Sequence, residues 1–420
     1  MKKKHKLIID RFLGMALCVL LRMPTFFLEK FLRRNHQMPP NEQPKIIVVA
    51  KYLGIGSILQ STPMLKSIKN KYPDSHLIFL TNKANYSLLN QYDFVDKVFY
   101  VNDSSLFRIA ASSFKVIVKL ISMRVDLFID LEVHSIYGSL ICLFSSAKNR
   151  LGFFIENANF KAYIYTHLLY LNPNLPIRNC YNQFAQLVGV NLLTIEDSLI
   201  RPNLPKEVSQ KTKNKIKKIF NFKYKGIIAI NANASDLSYE RRWDKLNFAK
   251  VARYFANEGY AIALVGSSSE YEYVQEIIDN SPEENKKIVN LAGTFPLLNF
   301  FSFLENCNLL ITNDSGIMNM ALTLNVPQLL LSGPVNPKQY FMDNNFRVYI
   351  YHQTYCSPCT HVLDSPPCGG DNKCMQQITP DEVIKFSKKL LSGENIKSKH
   401  EIIFSSDYET LGILKNKGIL

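Results

Sequence analysis

Three short stretches of the 420-residue sequence carry residue types suited to binding anions or moving protons. Residues 309–334, LLITNDSGIMNMALTLNVPQLLLSGP, run from an apolar strand through Asn313-Asp314-Ser315-Gly316 into a helix. At a helix start the free N–H groups and the dipole favour an anion, and Gly316 lets a ligand approach the main chain. Asp314 or Ser315 serves equally well as a plain N-cap, and spacing alone does not choose between the two. Residues 231–255, NANASDLSYERRWDKLNFAKVARYF, end a strand at Asn231 and place Arg241 and Arg242 before Trp243 and a helix. Adjacent guanidiniums there suit a diphosphate, gripped by paired hydrogen bonds. A solvated basic turn anchored by Trp243 is the competing reading.

The third stretch is KYLGIGSILQSTP, residues 51–63, directly after the apolar run Ile46–Ala50. Gly54 and Gly56 look like a phosphate cradle, but Leu59 stands where a dinucleotide fingerprint needs its third glycine. No Gly-Lys-Ser/Thr ends the turn, so it is not a P-loop either. A nicotinamide-dependent oxidoreductase is therefore disfavoured. Gly54 and Gly56 are expected to let the chain turn tightly beneath an acceptor or a reacting sugar. Farther on, the strand LFID ends at Asp130, and Glu132 and His134 follow within DLEVHS. Glu132, at the carboxyl end of a parallel strand, is a candidate general base, with a helix-terminal or salt-bridge role as the alternative. Asp130 is expected to turn inward.

Four of the eight cysteines cluster in CSPCTHVLDSPPCGGDNKC: Cys356, Cys359, Cys368 and Cys374. The first pair has metal-knuckle spacing, but five residues separate the second pair, looser than most zinc ribbons. Free thiols or a redox-sensitive clip are favoured over a structural metal there. No other metal site is expected.

Two halves of the chain repeat one grammar. Apolar strands are expected at Ile46–Ala50, Leu77–Leu80, Val98–Val101 and Leu127–Asp130, with helices Pro63–Tyr72 and Phe107–Arg124 among them. A second set is expected at Ile227–Asn231, Ala261–Val265, Ile288–Asn290, Leu309–Thr312 and Gln328–Leu331, with helices Lys245–Asn257, Tyr271–Asn280 and Ile317–Leu324. Pro380–Ser392 reads as a terminal helix. Strands apolar throughout, alternating with amphipathic helices, imply parallel sheets covered on both faces. The expected fold is α/β, two Rossmann-like domains with a cleft between them. The boundaries run 45–205 and 206–392, flanked by a basic segment 1–44 and a tail 393–420. Ligands belong at the carboxyl ends of the strands, in loops beginning near Lys51, Glu132, Ala232, Gly266 and Asn313.

The net charge is +15, and residues 1–45 carry ten Lys/Arg against three Asp/Glu. No nucleic-acid-binding signature accompanies this charge, so an anionic membrane surface or an anionic substrate is the expected partner rather than nucleic acid. Arg11 and Arg22 bound an uncharged run of only ten residues, too short to span a bilayer. With no small-residue cleavage site, the segment reads as an interfacial helix, or as one packed on the protein's own core.

The segments NDSGIMNMALTLNVPQLLLSGPVNP, ERRWDKLNFAKVARYF and KYLGIGSILQSTPMLKSIKNKYP, with NLAGTFPLL and the Cys-Ser-Pro-Cys stretch, resemble the ADP-heptose:lipopolysaccharide heptosyltransferases. The resemblance covers roughly residues 45–390. It implies a GT-B architecture, with an ADP-heptose-type sugar nucleotide held by the C-terminal domain and a lipid-linked saccharide acceptor by the N-terminal one. It implies metal-independent transfer with inversion, needing no cofactor, at the cytoplasmic face of the membrane. By the family pattern Asp314, Ser315 and Gly316 hold the donor's diphosphate and sugar, and Arg241 takes the place of the phosphate-gripping basic residue. Asn231, Arg242, Asn313 and Asn319 complete the expected donor site. Two positions depart from the pattern. Many members follow the glycine turn with an aspartate, the candidate base, where this chain has Ser57; Asn319 stands where many have histidine. A serine hydroxyl does not accept a proton usefully near neutral pH, which is why Glu132 is considered beside Ser57. A GT-B sugar-nucleotide epimerase or hydrolase, or a non-catalytic nucleotide-sugar-binding protein at the membrane, are the alternatives.

Overall fold

The computed structural model describes residues 35–404 apart from 40–41, 134, 156–160, 162, 235–238, 281–285, 341–345, 361–362, 364–365 and 394–401. It also describes residues 14, 16–21, 23–24, 27 and 30. His134, Arg11 and Arg22 thus lie outside the described residues. Among those described, no helix is long and apolar enough to cross a membrane. The chain divides into two compact units, Met1–Asn203 and Leu204–Leu420.

The first unit is built on a six-stranded parallel sheet ordered β3-β2-β1-β4-β5-β6. Its strands are β1 (Ile46–Ala50), β2 (His76–Asn82), β3 (Lys97–Val101), β4 (Leu127–Asp130), β5 (Asn149–Phe154) and β6 (His167–Tyr170). Val48, Ile78 and Phe128 lie fully buried in its core, which is why these strands read as unbroken apolar runs. The strand order reverses between β1 and β4, which pair in register with Ala50 opposite Asp130. The sequence did not disclose β5 or β6. β5 opens on the buried pair Asn149 and Arg150, and the guanidinium of Arg150 donates to the carbonyls of Ile164 and Ala147 at 2.7 and 3.1 Å. A charged residue satisfied in this way looks like loop in a one-dimensional reading. β6 is a half-exposed edge strand with a weak apolar signal.

Beneath the carboxyl ends of β1 and β4 lies a buried polar knot. Asp130 is fully enclosed, accepting from the Tyr165 hydroxyl at 2.6 Å and the Glu132 N–H at 3.0 Å. Tyr165 also meets the Ser139 hydroxyl at 2.7 Å. A Cβ on Gly138 would stand 3.0 Å from Asp130 Oδ1, so the helix Ile136–Phe144 approaches this close only with glycine there. Burial pushes the Asp130 carboxyl up to about 6, against Lys161 and the hydrogen bonds from Tyr165 and Glu132.

The second unit holds a seven-stranded parallel sheet ordered β13-β12-β11-β10-β7-β8-β9. Its strands are β7 (Ile227–Asn231), β8 (Ala261–Leu264), β9 (Ile288–Asn290), β10 (Leu309–Asn313), β11 (Gln328–Ser332), β12 (Arg347–Gln353) and β13 (Ile402–Phe404). Its order reverses between β7 and β10. β12 escaped the sequence reading because it opens on a charge, and β13 lies in the stretch expected to be only a tail. The helices Lys245–Asn257, Tyr271–Asp279, Gly316–Thr323 and Pro380–Leu391 fall where periodicity puts them, within a residue at each end. Asp244 caps the first of them by accepting the Leu246 N–H at 2.6 Å, and a Thr379–Glu382 capping box starts the last. Trp243 anchors the core between them: it is buried, meets Phe248 edge-on at 4.9 Å, and its indole N–H donates to the Ile378 carbonyl at 2.9 Å.

Two stability predictions follow from these cores. Trp243→Phe leaves the Ile378 carbonyl without its donor and a gap beside Phe248, and is expected to lower the urea unfolding free energy by about 2–4 kcal/mol. Asp130 is protonated more readily in the folded chain than in the unfolded one. Its contribution is therefore fully present below about pH 4 and lost as the pH rises through about 6. Asp130→Asn should lose less stability than the parent between pH 4 and 7, by about 3 kcal/mol at 1.4 kcal/mol per pH unit. Parallel pH profiles of the two proteins would refute this.

Candidate active site

In the second unit the functional candidates gather where β7 and β10 part. The strands lie in register, with Asn231 opposite Thr312. The Asn231 amide donates to the hydroxyls of Thr312 at 3.0 Å and Ser315 at 2.9 Å. Asn313 reaches back, donating to the Ala232 carbonyl at 2.8 Å while its side-chain oxygen accepts the Trp243 N–H at 3.3 Å. The two loops are thus stitched by neutral amides, and Ser315 spends its hydroxyl on Asn231 rather than capping its own helix. Gly316 opens the helix Gly316–Thr323, and Asn319 is buried one turn along it. Arg241 Nη1 meets Asp314 Oδ2 at 3.0 Å, and both side chains keep some exposure, 14% and 12%. This ion pair sits beside the amides of a helix start and remains reachable from solvent.

Arg242 turns elsewhere. Its guanidinium stacks on Tyr239 at 4.6 Å and Tyr273 at 4.4 Å and donates to the Ala234 carbonyl at 3.1 Å. It also lines a cavity of about 450 Å³ with Trp243, Lys245, Tyr273 and Gln376, a pocket that does not include Asp314, Ser315 or Gly316. Of the two adjacent arginines, Arg241 meets Asp314 after β10, whereas Arg242 is held by the Tyr239 and Tyr273 rings and the Ala234 carbonyl.

Two residues here were missed from sequence. Asn233, just past β7, is buried, yet neither atom of its side-chain amide has a partner. Gly266 at the end of β8 lies so close that a Cβ on it would stand 2.7 Å from Asn233 Nδ2. A buried amide left unpaired costs free energy, and its location among strand carboxyl ends makes Asn233 a candidate ligand contact. Arg347 is the second: buried at the start of β12, it donates to the Tyr340 carbonyl at 2.8 Å, with Nε and Nη2 unpaired. Burial lowers its pKa, opposed by Tyr349 and Asp314. An arginine opening the apolar run RVYIY was the visible signal.

The reversal in the first unit carries a different kind of contact. Glu132 is buried, and its two carboxylate oxygens are shared among three donors. Lys51 Nζ meets Oε2 at 2.7 Å, and the N–H groups of Tyr52 and Leu53 meet Oε1 at 2.7 and 3.0 Å. Burial pushes the Glu132 carboxyl up, but Lys51 and the two amides together hold it below the usual carboxylate range. These contacts fix the main chain entering Gly54, whose φ of +82° only glycine adopts readily. Gly56 is buried in the first turn of the helix Ile55–Gln60, and Ser57 beside it is partly exposed and hydrogen-bonded with Tyr181.

Cys356, Cys359, Cys368 and Cys374 are all free thiols, and Cys359 and Cys374 are buried. Burial pushes the Cys374 thiol up to about 12 and raises that of Cys359 as well. Among the described residues no group of three or more His, Cys, Asp or Glu is placed to hold a metal ion.

Known proteins resemble this chain in sequence and fold. Residues 114–368 match the profile of glycosyltransferase family 9 (heptosyltransferase). Lipooligosaccharide heptosyltransferase 2 of Campylobacter jejuni serotype O:2 is 24% identical over 345 residues, covering 81% of this chain and 97% of that protein. The Haemophilus influenzae enzyme of the same name is 38% identical over 153 residues, where this chain spans only 44% of the relative's length and 36% of its own. The solved structure of Escherichia coli ADP-heptose heptosyltransferase II superposes with a TM-score of 0.66 at 20% identity, covering 83% of this chain and 99% of that one. The more distant TibC of enterotoxigenic E. coli, TM-score 0.51 at 12% identity over 83% of this chain and 76% of that one, is described as iron-containing. With more than half of its 420 residues inside the family profile, the chain belongs to glycosyltransferase family 9.

Proposed function

We propose that this protein transfers a heptose from ADP-heptose to a lipopolysaccharide-type saccharide, with inversion at the anomeric carbon. The observation that carries the reading is the reachable Arg241–Asp314 pair at the start of helix Gly316–Thr323, with the unpaired amide of Asn233 beside the same strand ends. The names of the Campylobacter and Haemophilus relatives supply the sugar and the acceptor class. In this proposal the second unit takes the donor. Arg241 and the amides at Ser315 and Gly316 meet the diphosphate, Asn231 and Asn313 hold the loops that present them, and Asn319 supports the helix from within. As the acceptor hydroxyl attacks the anomeric carbon, charge builds on the departing diphosphate, and these fixed groups stabilise it. That positive charge makes a divalent metal unnecessary.

The first unit takes the acceptor, and the basic N-terminal segment holds the protein at the cytoplasmic leaflet where a lipid-linked acceptor resides. Ser57 offers a hydroxyl beside the glycine turn for hydrogen bonding to acceptor or sugar. Glu132 enters as the acid that shapes the turn, because its oxygens are already shared among three donors and its proton affinity is depressed. One observation favours a second reading, a donor-binding protein without turnover: Ser57 and Asn319 stand where titratable residues are expected.

Transfer of heptose from ADP-heptose to extracted acceptor lipid distinguishes them, since the binding-only reading gives donor-induced thermal stabilisation and no product. Arg241→Ala is expected to lower kcat by about 100-fold, and excess EDTA to leave the parent rate unchanged. Glu132→Gln should lower turnover together with the unfolding midpoint, because Lys51 is left buried and charged. A Glu132→Gln protein of parental stability that has lost both turnover and the acidic limb of the pH–rate profile would restore Glu132 as the general base. Ser57→Ala should reduce turnover without moving the midpoint.

A further inference from the structure

The helix Leu106–Met123 in the first unit has two apolar faces. Ser113, Val116 and Leu120 pack inward, and Ser113 meets the Tyr137 hydroxyl at 2.6 Å, which seats the helix beside Ile136–Phe144. The opposite face should be polar in a helix that meets only water. Instead Phe107 and Phe114 are 82% and 69% exposed, with Val118 and Ile121 near half exposed. With Ala111 these residues fall within about 80° of arc, a single stripe along the helix. Arg108, Lys115 and Lys119 border the stripe on one side, and no acidic residue occurs between Leu106 and Arg124.

The stripe has a counterpart on the far side of Ile136–Phe144. The described residues between Gly14 and Lys30 are helical, and Cys18 among them packs against Ile136 and Ile164. Leu20, Met23 and Phe27, three and four residues apart, are exposed there at 70%, 64% and 61%. Phe144, the last residue of Ile136–Phe144, is exposed as well. Isolated exposed apolar side chains are ordinary, but a clustered set bordered by cations only is not.

We propose that the outer face of Leu106–Met123 docks on an anionic lipid bilayer, with its phenylalanines entering the acyl boundary and its basic border meeting lipid phosphates. Charge complementarity selects this occupant, because a purely apolar partner would leave Arg108, Lys115 and Lys119 buried without counter-ions. The inference rests on the reading that the acceptor is lipid-linked, and it names the surface that brings the enzyme to it.

Full-length protein is sedimented with phosphatidylglycerol/phosphatidylethanolamine vesicles and with phosphatidylcholine vesicles. It should partition into the first at least about 10-fold more strongly. The double variant Phe107→Ser, Phe114→Ser should lose about 10-fold or more in binding with an unchanged unfolding midpoint, since both side chains lie outside the core. Lys115→Gln with Lys119→Gln should weaken the preference for anionic lipid. The phenylalanine variant should keep parental turnover on a deacylated, water-soluble acceptor and lose it on acceptor embedded in vesicles. Unchanged partitioning of that variant, or equal binding to both vesicle types, overturns the proposal. So does a concentration-dependent dimer that the variant dissolves, which would make this face an interface between copies. If the parent transfers heptose to neither acceptor but still pellets with anionic vesicles, the functional reading fails and the docking surface stands.

Discussion

The ion pair between Lys51 and Glu132 is the constraint on which the first unit's functional edge depends. It joins the residue after β1 to the second residue after β4, across the point where the strand order reverses. Both side chains are almost enclosed, 9% and 5% exposed. Burying two charges gains little net stability, because desolvation consumes most of their attraction. Its effect is on shape. Glu132 also accepts from the amides of Tyr52 and Leu53, so one carboxylate sets the path of the chain into the left-handed Gly54. The β1–β4 register makes this possible: a slip of one residue would reverse every side chain and carry Glu132 away from Lys51.

The second unit meets the same geometric problem with neutral groups. Asn231 and Asn313 cross-link the ends of β7 and β10 without placing any charge inside. The charge is held farther out, in Arg241 and Asp314, which are 14% and 12% exposed against 9% and 5% for Lys51 and Glu132. In the enclosed pair both carboxylate oxygens are already engaged by main-chain and lysine donors. A pair at the rim, beside a helix start and an unpaired buried amide, stays open to solvent. Burial, rather than residue type, separates the enclosed pair from the accessible one.

Much of the architecture was legible in one dimension. β1, β4, β7 and β9 have the bounds their apolar runs suggest, because strands covered on both faces tolerate no polar interruption. Two of the strands that were not read carry buried arginines: Arg150 in β5 and Arg347 in β12 look like breaks in an apolar run until their carbonyl partners are known. Site residues divide similarly. Asp314, Ser315 and Gly316 announce themselves because helix-start chemistry is local. Asn233 does not, since having no partner is a property of three-dimensional surroundings, and Gly266 gains meaning only once Asn233 lies against it. Glu132 was located correctly at a strand end, but its three donors come from 79 to 81 residues away and are invisible to local pattern. The exposed face of Leu106–Met123 was missed because apolar residues on both faces of a helix do not tell from sequence which face the core covers.

The cysteine-rich segment acquires a role that requires neither metal nor disulfide. It is tied to the main chain after β11: the N–H groups of Cys359 and Thr360 donate to the Pro334 carbonyl at 3.0 and 2.9 Å, and the Ser357 hydroxyl donates to Gly333 at 2.7 Å. Gly333 has room for nothing larger, since a Cβ there would stand 2.7 Å from Cys374 Sγ. Two residues before Cys374, Asn372 donates to the carbonyls of Glu240 and Arg242 at 3.2 and 2.8 Å. The residues on either side of Arg241 are therefore held by a segment more than 100 positions away in sequence. Trp243 adds a second tie through Ile378. A long guanidinium holds its position at the rim only if its backbone does not drift, and these ties brace that backbone. Protonated, buried thiols suit that packing task, because they fill space beside Gly333 and Tyr351 without bringing charge toward Arg241.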